Sequence, residues 1–186
     1  MNANNIIIRR LISNKHGDNL NLTHSDDWKL WKSLRIEGSQ LNPDAFDNTL
    51  EELNGFDDAY YQEVLHENVV FGAFDGDELV GGLGFAPGQI AKQRHRGEIF
   101  NVFLKPKCRG KGVGKMLFSH VINYVKNERP ETMQLHLSVG TFNSPAVGLY
   151  QSVGFQVYAT EERRLRASDG IGFIDEFLMI YKISRD

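Results

Sequence analysis

The sequence has little of several features that would decide its class at once. Its one cysteine, Cys108, cannot form an internal disulfide, which agrees with a reducing compartment. No apolar run approaches the roughly 20 residues of a membrane-spanning helix, and the first residues lack the basic-then-apolar order of a signal peptide. We therefore predict a cytoplasmic protein without membrane association, folded as a single domain over residues 1–186.

Two classes of partner are disfavoured by what the chain does not contain. His, Cys, Asp and Glu residues do not occur at metal-ligand spacing, so we predict no metal. The net charge is −3, and the basic residues do not form a separate patch with interleaved aromatic residues, so we expect no nucleic-acid partner. Lys107 and Arg109 could activate Cys108, but no base is near it in sequence, and we expect an incidental, exposed loop thiol.

The small net charge conceals a strong segregation of charge along the chain. Residues 37–81 contain twelve acidic residues and no lysine or arginine, whereas residues 82–131 contain ten basic residues and three acidic ones. Each segment could simply present solvated faces, because charged surface is the default in a soluble protein. Alternatively, the basic segment attracts a polyanionic cofactor while the acidic segment faces a cationic acceptor such as an amine.

A glycine-rich segment, RGKGVG at residues 109–114, is the most informative feature that is present. It lies between an apolar run at 99–104 and an amphipathic stretch at 115–125, an order that predicts strand, turn and helix. Its glycines allow backbone N–H groups to converge at a helix N-terminus, where the helix dipole also favours an anion. The predicted ligand therefore carries phosphate.

The two commonest phosphate-binding loops do not fit this segment. A Walker A loop needs glycine at 109 and Ser or Thr at 116, where the chain has Arg109 and Met116. A dinucleotide loop fails as well, because Lys115 replaces its third glycine.

A second motif, NSPAVGLYQSVGF at residues 143–155, identifies a family when it is combined with the loop. It resembles Asn-x-x-Ala-x-x-Leu-Tyr-x-x-x-Gly-Phe of the GCN5-related N-acetyltransferases (GNAT superfamily), and every specified position is present. The Arg-x-x-Gly-x-Gly pattern of residues 109–114 is similar to the acetyl-CoA pyrophosphate loop of the same superfamily. The segment LRIEGSQLNPDAF at residues 34–46 further resembles an uncharacterised bacterial branch.

Periodicity and turn signals place the elements. We predict a first helix that follows the cap signal at residues 25–27 and ends before Pro43, and a second helix that Gly55 divides. The remaining predicted helices are 113–126 and 144–152, and the predicted strands are 5–12, 69–74, 78–85, 98–104, 133–139, 155–164 and 173–183.

The resemblance implies an α/β (α+β) GNAT fold, with a mixed, mostly antiparallel sheet of about seven strands and helices on both faces. Strands 98–104 and 133–139 would splay apart and hold CoA between them, with the main chain of Val102, Phe103 and Leu104 binding the pantetheine arm. The last hairpin offers an edge through which relatives often pair, so a homodimer is possible. The other residues expected to bind the cofactor are Arg109, Gly110, Lys111, Gly112, Val113, Gly114, Lys115 and Asn143.

The resemblance also implies a catalytic apparatus. Tyr150 matches the tyrosine that protonates the leaving thiolate, and a backbone N–H near Val102, where such strands often bulge, would bind the oxyanion. Glu98 resembles the glutamate that serves as general base in histone-modifying members, although many relatives use ordered water. His136 and Glu176 are alternatives, whereas Ser138 stands where other members, which acetylate protein N-termini, carry their glutamate.

The expected function is therefore transfer of the acetyl group of acetyl-CoA to a primary amine by direct attack in a ternary complex. The acceptor is a cationic small-molecule amine or a protein amine, and the sequence does not separate the two. The alternative is a non-catalytic acyl-CoA-binding or regulatory module of the same fold.

Overall fold

A computed structural model describes residues 5–13 and 26–184 of this protein. Seven strands form one sheet in the order β1-β2-β3-β4-β5-β7-β6, in which only the β4–β5 pair is parallel. The strands are β1 (Ile6–Leu11), β2 (Val69–Asp75), β3 (Glu78–Pro87), β4 (Arg96–Leu104), β5 (Gln134–Gly140), β6 (Gln156–Arg166) and β7 (Phe173–Lys182). This mixed sheet confirms the predicted fold class.

In the described part of the chain, five helices connect and cover the strands: α1 (Asp27–Leu41), α2 (Leu50–Gly55), α3 (Asp58–Glu67), α4 (Val113–Glu128) and α5 (Ser144–Ser152). The predicted second helix is divided at Gly55, and α1 ends before Pro43 as its sequence indicates. The structural reason for the division is that Asp57 begins a new helix by accepting a hydrogen bond from the Tyr60 N–H. Among the described residues, no helix is long and apolar enough to cross a bilayer.

The sheet separates two hydrophobic clusters. α4 and α5 pack on one face, with Leu117 and Phe118 of α4 in the larger cluster, while α1 and α3 pack on the other face around Trp31 and Tyr61. Successive strand residues contribute to opposite clusters because side chains alternate across a sheet. The tryptophans of α1 are core residues of the second cluster. Because the sheet lies between the two clusters, a ligand that contacts both faces must pass through the sheet.

The central parallel pair opens along its length. β4 and β5 pair only from Arg96 opposite Gln134 to Glu98 opposite His136. Beyond this point β4 continues for six residues and pairs only with β3, while β5 pairs only with β7. The sheet thus contains a gap whose walls carry backbone groups that no neighbouring strand uses.

Candidate active site

The glycine-rich loop ends in a set of backbone donors at the start of α4. Gly110 and Gly112 have φ values of 72° and 81°, the left-handed region that favours glycine. The first backbone hydrogen bond of α4 runs from the Met116 N–H to the Gly112 carbonyl oxygen at 3.1 Å. The N–H groups of residues 113–115 therefore precede the hydrogen-bond ladder of the helix and are available to an anion.

Close packing of α4 on α5 brings this loop to the second motif. A Cβ built on Gly114 would lie 2.7 Å from Cδ2 of Leu149 and 3.3 Å from Cδ1 of Leu104. Only glycine permits this approach without a shift of the neighbouring side chains. The requirement explains physically why the loop and the Asn143 to Phe155 motif occur together.

The basic residues around the loop have different surroundings. Lys105 forms ion pairs with Glu37 at 3.0 Å and with Glu78 at 3.1 Å, and Lys107 also pairs with Glu78. Lys111 donates through Nζ to the Lys107 carbonyl oxygen at 2.7 Å. Carboxylates of the acidic segment, residues 37–81, therefore pair with lysines of the basic segment, residues 82–131. These ion pairs neutralise part of the charge that is segregated along the sequence.

Arg109 and Lys115 lie at the glycine-rich turn. The Arg109 Nε donates to the Leu104 carbonyl oxygen at 3.0 Å, and its guanidinium lies 5.8 Å from the ring centroid of Phe103. This contact attaches the loop to the end of β4. Lys115 is exposed on the first turn of α4, where its ammonium group can reach a bound phosphate.

β4 carries a bulge at the gap. Gly82 pairs with Phe103 and Gly84 pairs with Phe100, so two β4 residues lie opposite one residue of β3. The bulge contains Asn101, whose φ of 53° is left-handed. This conformation changes the direction of the peptide groups that follow. The bulge therefore lies next to Val102, where it was predicted.

A cavity of about 700 Å³ runs along this gap. The loop and the first turn of α4 line one end, and the second motif lines another wall. Residues that follow α1, on the opposite face of the sheet, also line the cavity, so it reaches both faces. Its lining includes Asn42, Ala45, Phe46, Val102, Phe103, Leu104, Cys108, Arg109, Gly110, Gly112, Val113, Gly114, Lys115, Asn143, Pro145, Ala146, Gly148, Leu149, Tyr150 and Ser152.

The polar side chains of the second motif are fixed by local structure. The Asn143 Oδ1 accepts from the Ala146 N–H at 3.3 Å and caps α5, and Asn143 also lines the cavity. The cap does not use the amide nitrogen of Asn143. Tyr150 packs its ring against Phe118, with centroids 5.4 Å apart. Burial raises the pKa of the Tyr150 phenol, which is therefore protonated at neutral pH.

The predicted bases lie on the face of the sheet opposite α4 and α5, because their strand neighbours Ile99, Leu135 and Phe177 belong to the α4–α5 cluster. Glu98 is exposed in the last rung before the gap and does not line the cavity. Beside it, His136 Nδ1 lies 3.4 Å from the Arg96 guanidinium, and burial, with help from Arg96 and His95, lowers the pKa of His136. Glu176 is buried, with its Oε2 2.8 Å from the Arg164 Nε.

All of the predicted cofactor residues line this one cavity except Lys111, whose Nζ donates to the Lys107 carbonyl oxygen. The cavity also includes Asn42, Ala45 and Phe46, which the sequence does not predict as cofactor residues, although their segment resembles that of other bacterial acetyltransferases. The expectation of an exposed Cys108 is wrong. A short 3₁₀ turn at Pro106–Cys108 buries the thiol completely, and burial raises its pKa.

Comparisons with known proteins agree with this geometry. Residues 34–155 match the model of the acetyltransferase (GNAT) family. A mycothiol acetyltransferase of Acidothermus cellulolyticus is 28% identical over 127 residues, which cover 68% of this chain and 34% of that protein. The chain thus spans about a third of the length of this relative.

Solved structures share the fold. A GNAT-family acetyltransferase of Streptococcus pneumoniae superposes with a TM-score of 0.74 at 21% identity, over 96% of this chain and 99% of the other. A protein of Salmonella typhimurium, determined with its cofactor acetyl-CoA, superposes with a TM-score of 0.73 at 20% identity, over 98% and 96% of the two chains.

Proposed function

Because the chain belongs to the acetyltransferase (GNAT) family, whose cofactor is acetyl-CoA, we propose that it transfers the acetyl group to a primary amine by direct attack. The observation that carries this proposal is the gap between β4 and β5, with phosphate donors at one end of its cavity and a bulge within it. A thioester held in this gap can be reached from the α1 face by an acceptor. A covalent acetyl-enzyme is not needed.

The backbone binds the donor in this proposal. Backbone groups of residues 102–104, which have no β5 strand beside them, take up the amides of the pantetheine arm as a neighbouring strand would. The Leu104 carbonyl oxygen already accepts from Arg109 Nε and has a second lone pair to offer. The N–H groups at the start of α4, assisted by Arg109 and Lys115, bind the pyrophosphate. The Asn143 amide nitrogen donates to the arm where it passes α5.

The bulge and Tyr150 act on the charges that develop during transfer. Acetyl-CoA supplies a thioester, so a C–N bond forms, the C–S bond breaks, the amine loses a proton and the sulfur gains one. The N–H near Val102 donates to the carbonyl oxygen as it becomes negative. Tyr150, neutral because it is buried, donates its proton as the sulfur becomes anionic, and the phenol is restored from solvent.

Deprotonation of the acceptor amine is assigned to Glu98. Alkyl amines have pKa values near ~10.4, so a proton must be removed before attack at neutral pH. Glu98 lies outside the cavity lining, and its exposed carboxylate acts on an amine that arrives from the α1 face, directly or through ordered water.

The direct test is release of CoA thiol from acetyl-CoA with a panel of primary amines, with mass spectrometry of the products. Amine-dependent release with an acetylated product supports the proposal. CoA binding without release for any amine indicates instead a CoA-binding module. Absence of both binding and release contradicts the assignment of the cavity.

A further inference from the structure

A buried arginine on α1 lacks the partners that a buried charge needs. Arg35 is only 3% exposed, and its guanidinium carbon lies 4.8 Å from the ring centroid of Phe46. One of its terminal nitrogens, Nη1, is buried without a hydrogen-bond partner in residues 5–13 and 26–184. Transfer of an ion out of water is costly unless the ion is paired.

The groups near Arg35 do not remove this deficit. Burial lowers the pKa of Arg35 to about 10, and Tyr60, Tyr61 and Asp47 oppose that shift. At neutral pH the guanidinium is still charged, and none of these three residues is hydrogen-bonded to its buried Nη1. The interaction with the Phe46 face is a cation–π contact and fills no hydrogen-bond site.

Ser39 provides a second unpaired donor one turn further along α1. It is 1% exposed, and its Oγ has no hydrogen-bond partner among the described residues. Residues four apart lie on the same helix face, so Arg35 and Ser39 point to the same side. Native proteins leave few buried polar groups unpaired, so two such donors on one helix turn are suited to bind an acceptor group such as a carboxylate.

These donors lie behind one wall of the cavity. A Cβ on Gly38, between them, would be 3.3 Å from the Phe46 ring and 3.2 Å from the Phe103 ring, so α1 packs directly on both. Phe46 lines the cavity on its other side. The two rings meet edge to face at 6.3 Å, and Phe103 directly follows the bulge of β4.

We propose that the acceptor is an amino acid, and that Arg35 and Ser39 bind its carboxylate when the Phe46 ring turns aside. This inference rests on the proposed acetyltransferase function and specifies its acceptor. A guanidinium binds a carboxylate through two parallel hydrogen bonds, and the Ser39 hydroxyl adds a third. With the carboxylate held there, the amine of the amino acid faces the bulge across the space that the Phe46 and Phe103 rings occupy in this structure.

The test compares amino acids with their carboxamides, which keep the amine and lose the carboxylate. Methionine and methioninamide, phenylalanine and phenylalaninamide, and 4-aminobutyrate and 4-aminobutyramide serve as probes, with thiol release from acetyl-CoA as readout. The free acid of at least one pair is expected to have a kcat/KM ten or more times that of its amide. The pair whose free acid reacts faster shows whether the site fits an α-amino acid or an ω-amino acid, which differ in the distance between amine and carboxylate.

Variants assign the preference to the buried donors. Arg35→Met is expected to abolish the preference for the acid, through a higher KM. Ser39→Ala is expected to reduce the preference at least fivefold, because it removes one hydrogen bond to a charged carboxylate. Lys29→Met removes a charge from the exposed side of the same helix and is the matched control, expected to keep the full preference.

Thermal melting without ligand separates binding from structure. An unpaired buried charge destabilises the free protein, so Arg35→Met is expected to melt at or above the wild-type temperature. If the amides react as well as the acids, or if Arg35→Met melts several degrees lower and keeps the preference, the inference is overturned while the acetyltransferase function stands. If no amine stimulates thiol release, both the amino-acid acceptor and the proposed acetyltransferase function are contradicted.

Discussion

Glu98 lies opposite His136 in the last rung that joins β4 to β5, and beyond this rung the two strands are no longer paired. The position places a carboxylate and an imidazole at the apex of the gap, on the side from which an acceptor would approach. The pKa of His136 is lowered, so its imidazole is neutral at neutral pH. Two candidate bases therefore stand side by side, and substitution can distinguish them.

Glu98→Gln is expected to lower kcat/KM at pH 7 about 100-fold, because positioned general bases contribute roughly that factor. The measurement is the pH dependence of thiol release between pH 6 and 9, with His136→Gln and Glu176→Gln as matched variants that should retain most of the rate. A Glu98→Gln variant with the wild-type profile would show that ordered water, and not Glu98, deprotonates the amine.

The bulge at Asn101 is expected to matter more for turnover than for cofactor binding. Asparagine tolerates its φ of 53°, whereas a β-branched residue is strained there by ~1–2 kcal/mol. Asn101→Val should therefore displace the Val102 N–H and lower kcat by about tenfold or more, with a smaller change in acetyl-CoA affinity. Asn101→Gly, which adopts the same φ freely, is the control and should retain the wild-type kcat. Equal rates for both variants would remove the bulge from the mechanism.

Tyr150→Phe removes the proposed acid and keeps the ring that packs against Phe118 and Phe155. We expect kcat to fall about 100-fold while the melting temperature and the dissociation constant of acetyl-CoA change little. Steady-state thiol release, calorimetric titration and thermal melting give the three values. Wild-type turnover in this variant would contradict the assignment of the acid.

Burial of Tyr150 also predicts an alkaline limit to stability. Its folded pKa lies above the unfolded value of ~10, as does that of Tyr61, so the neutral phenols are favoured in the folded state. Their contribution is complete below about pH 10 and is lost as the pH rises through the folded values. Urea unfolding between pH 8 and 11 should show this loss, and Tyr150→Phe should make it less steep. An unchanged slope would mean that the phenol is ionised as easily as in water.

Sequence reasoning succeeded where local pattern and geometry are coupled. The glycines of residues 109–114 predicted a tight turn between a strand and a helix, and Gly110 and Gly112 adopt positive φ there; phosphate binding by this turn stays a prediction. The bulge near Val102 was predicted from the family resemblance alone. The local sequence around Asn101 contains no signal that indicates a bulge in the strand. The division of the second helix at Gly55 followed from helix propensity.

The failures occur where burial depends on distant parts of the chain. Cys108 stands between two cations in sequence, yet the turn at Pro106–Cys108 directs its side chain inward between neighbours that remain outside. Arg35 is a charged residue on an amphipathic helix, and nothing within α1 shows that residues after its C-terminus will cover it. Phe46 reaches the cavity only because the chain turns back at Pro43–Ala45.

The central claim is that acetyl-CoA binds in the gap between β4 and β5 with its phosphates on the turn at Gly112. The measurement is calorimetric titration of acetyl-CoA into wild-type protein, Gly112→Val and Gly170→Val, two substitutions at glycines with φ of 81° and 75° and no neighbouring atom within 4 Å of a Cβ. We expect saturable binding to the wild type, at least tenfold weaker binding to Gly112→Val, and wild-type affinity for Gly170→Val in the β6–β7 turn, which does not line the cavity. No binding to the wild type, or equal affinity for the wild type and Gly112→Val, would contradict it.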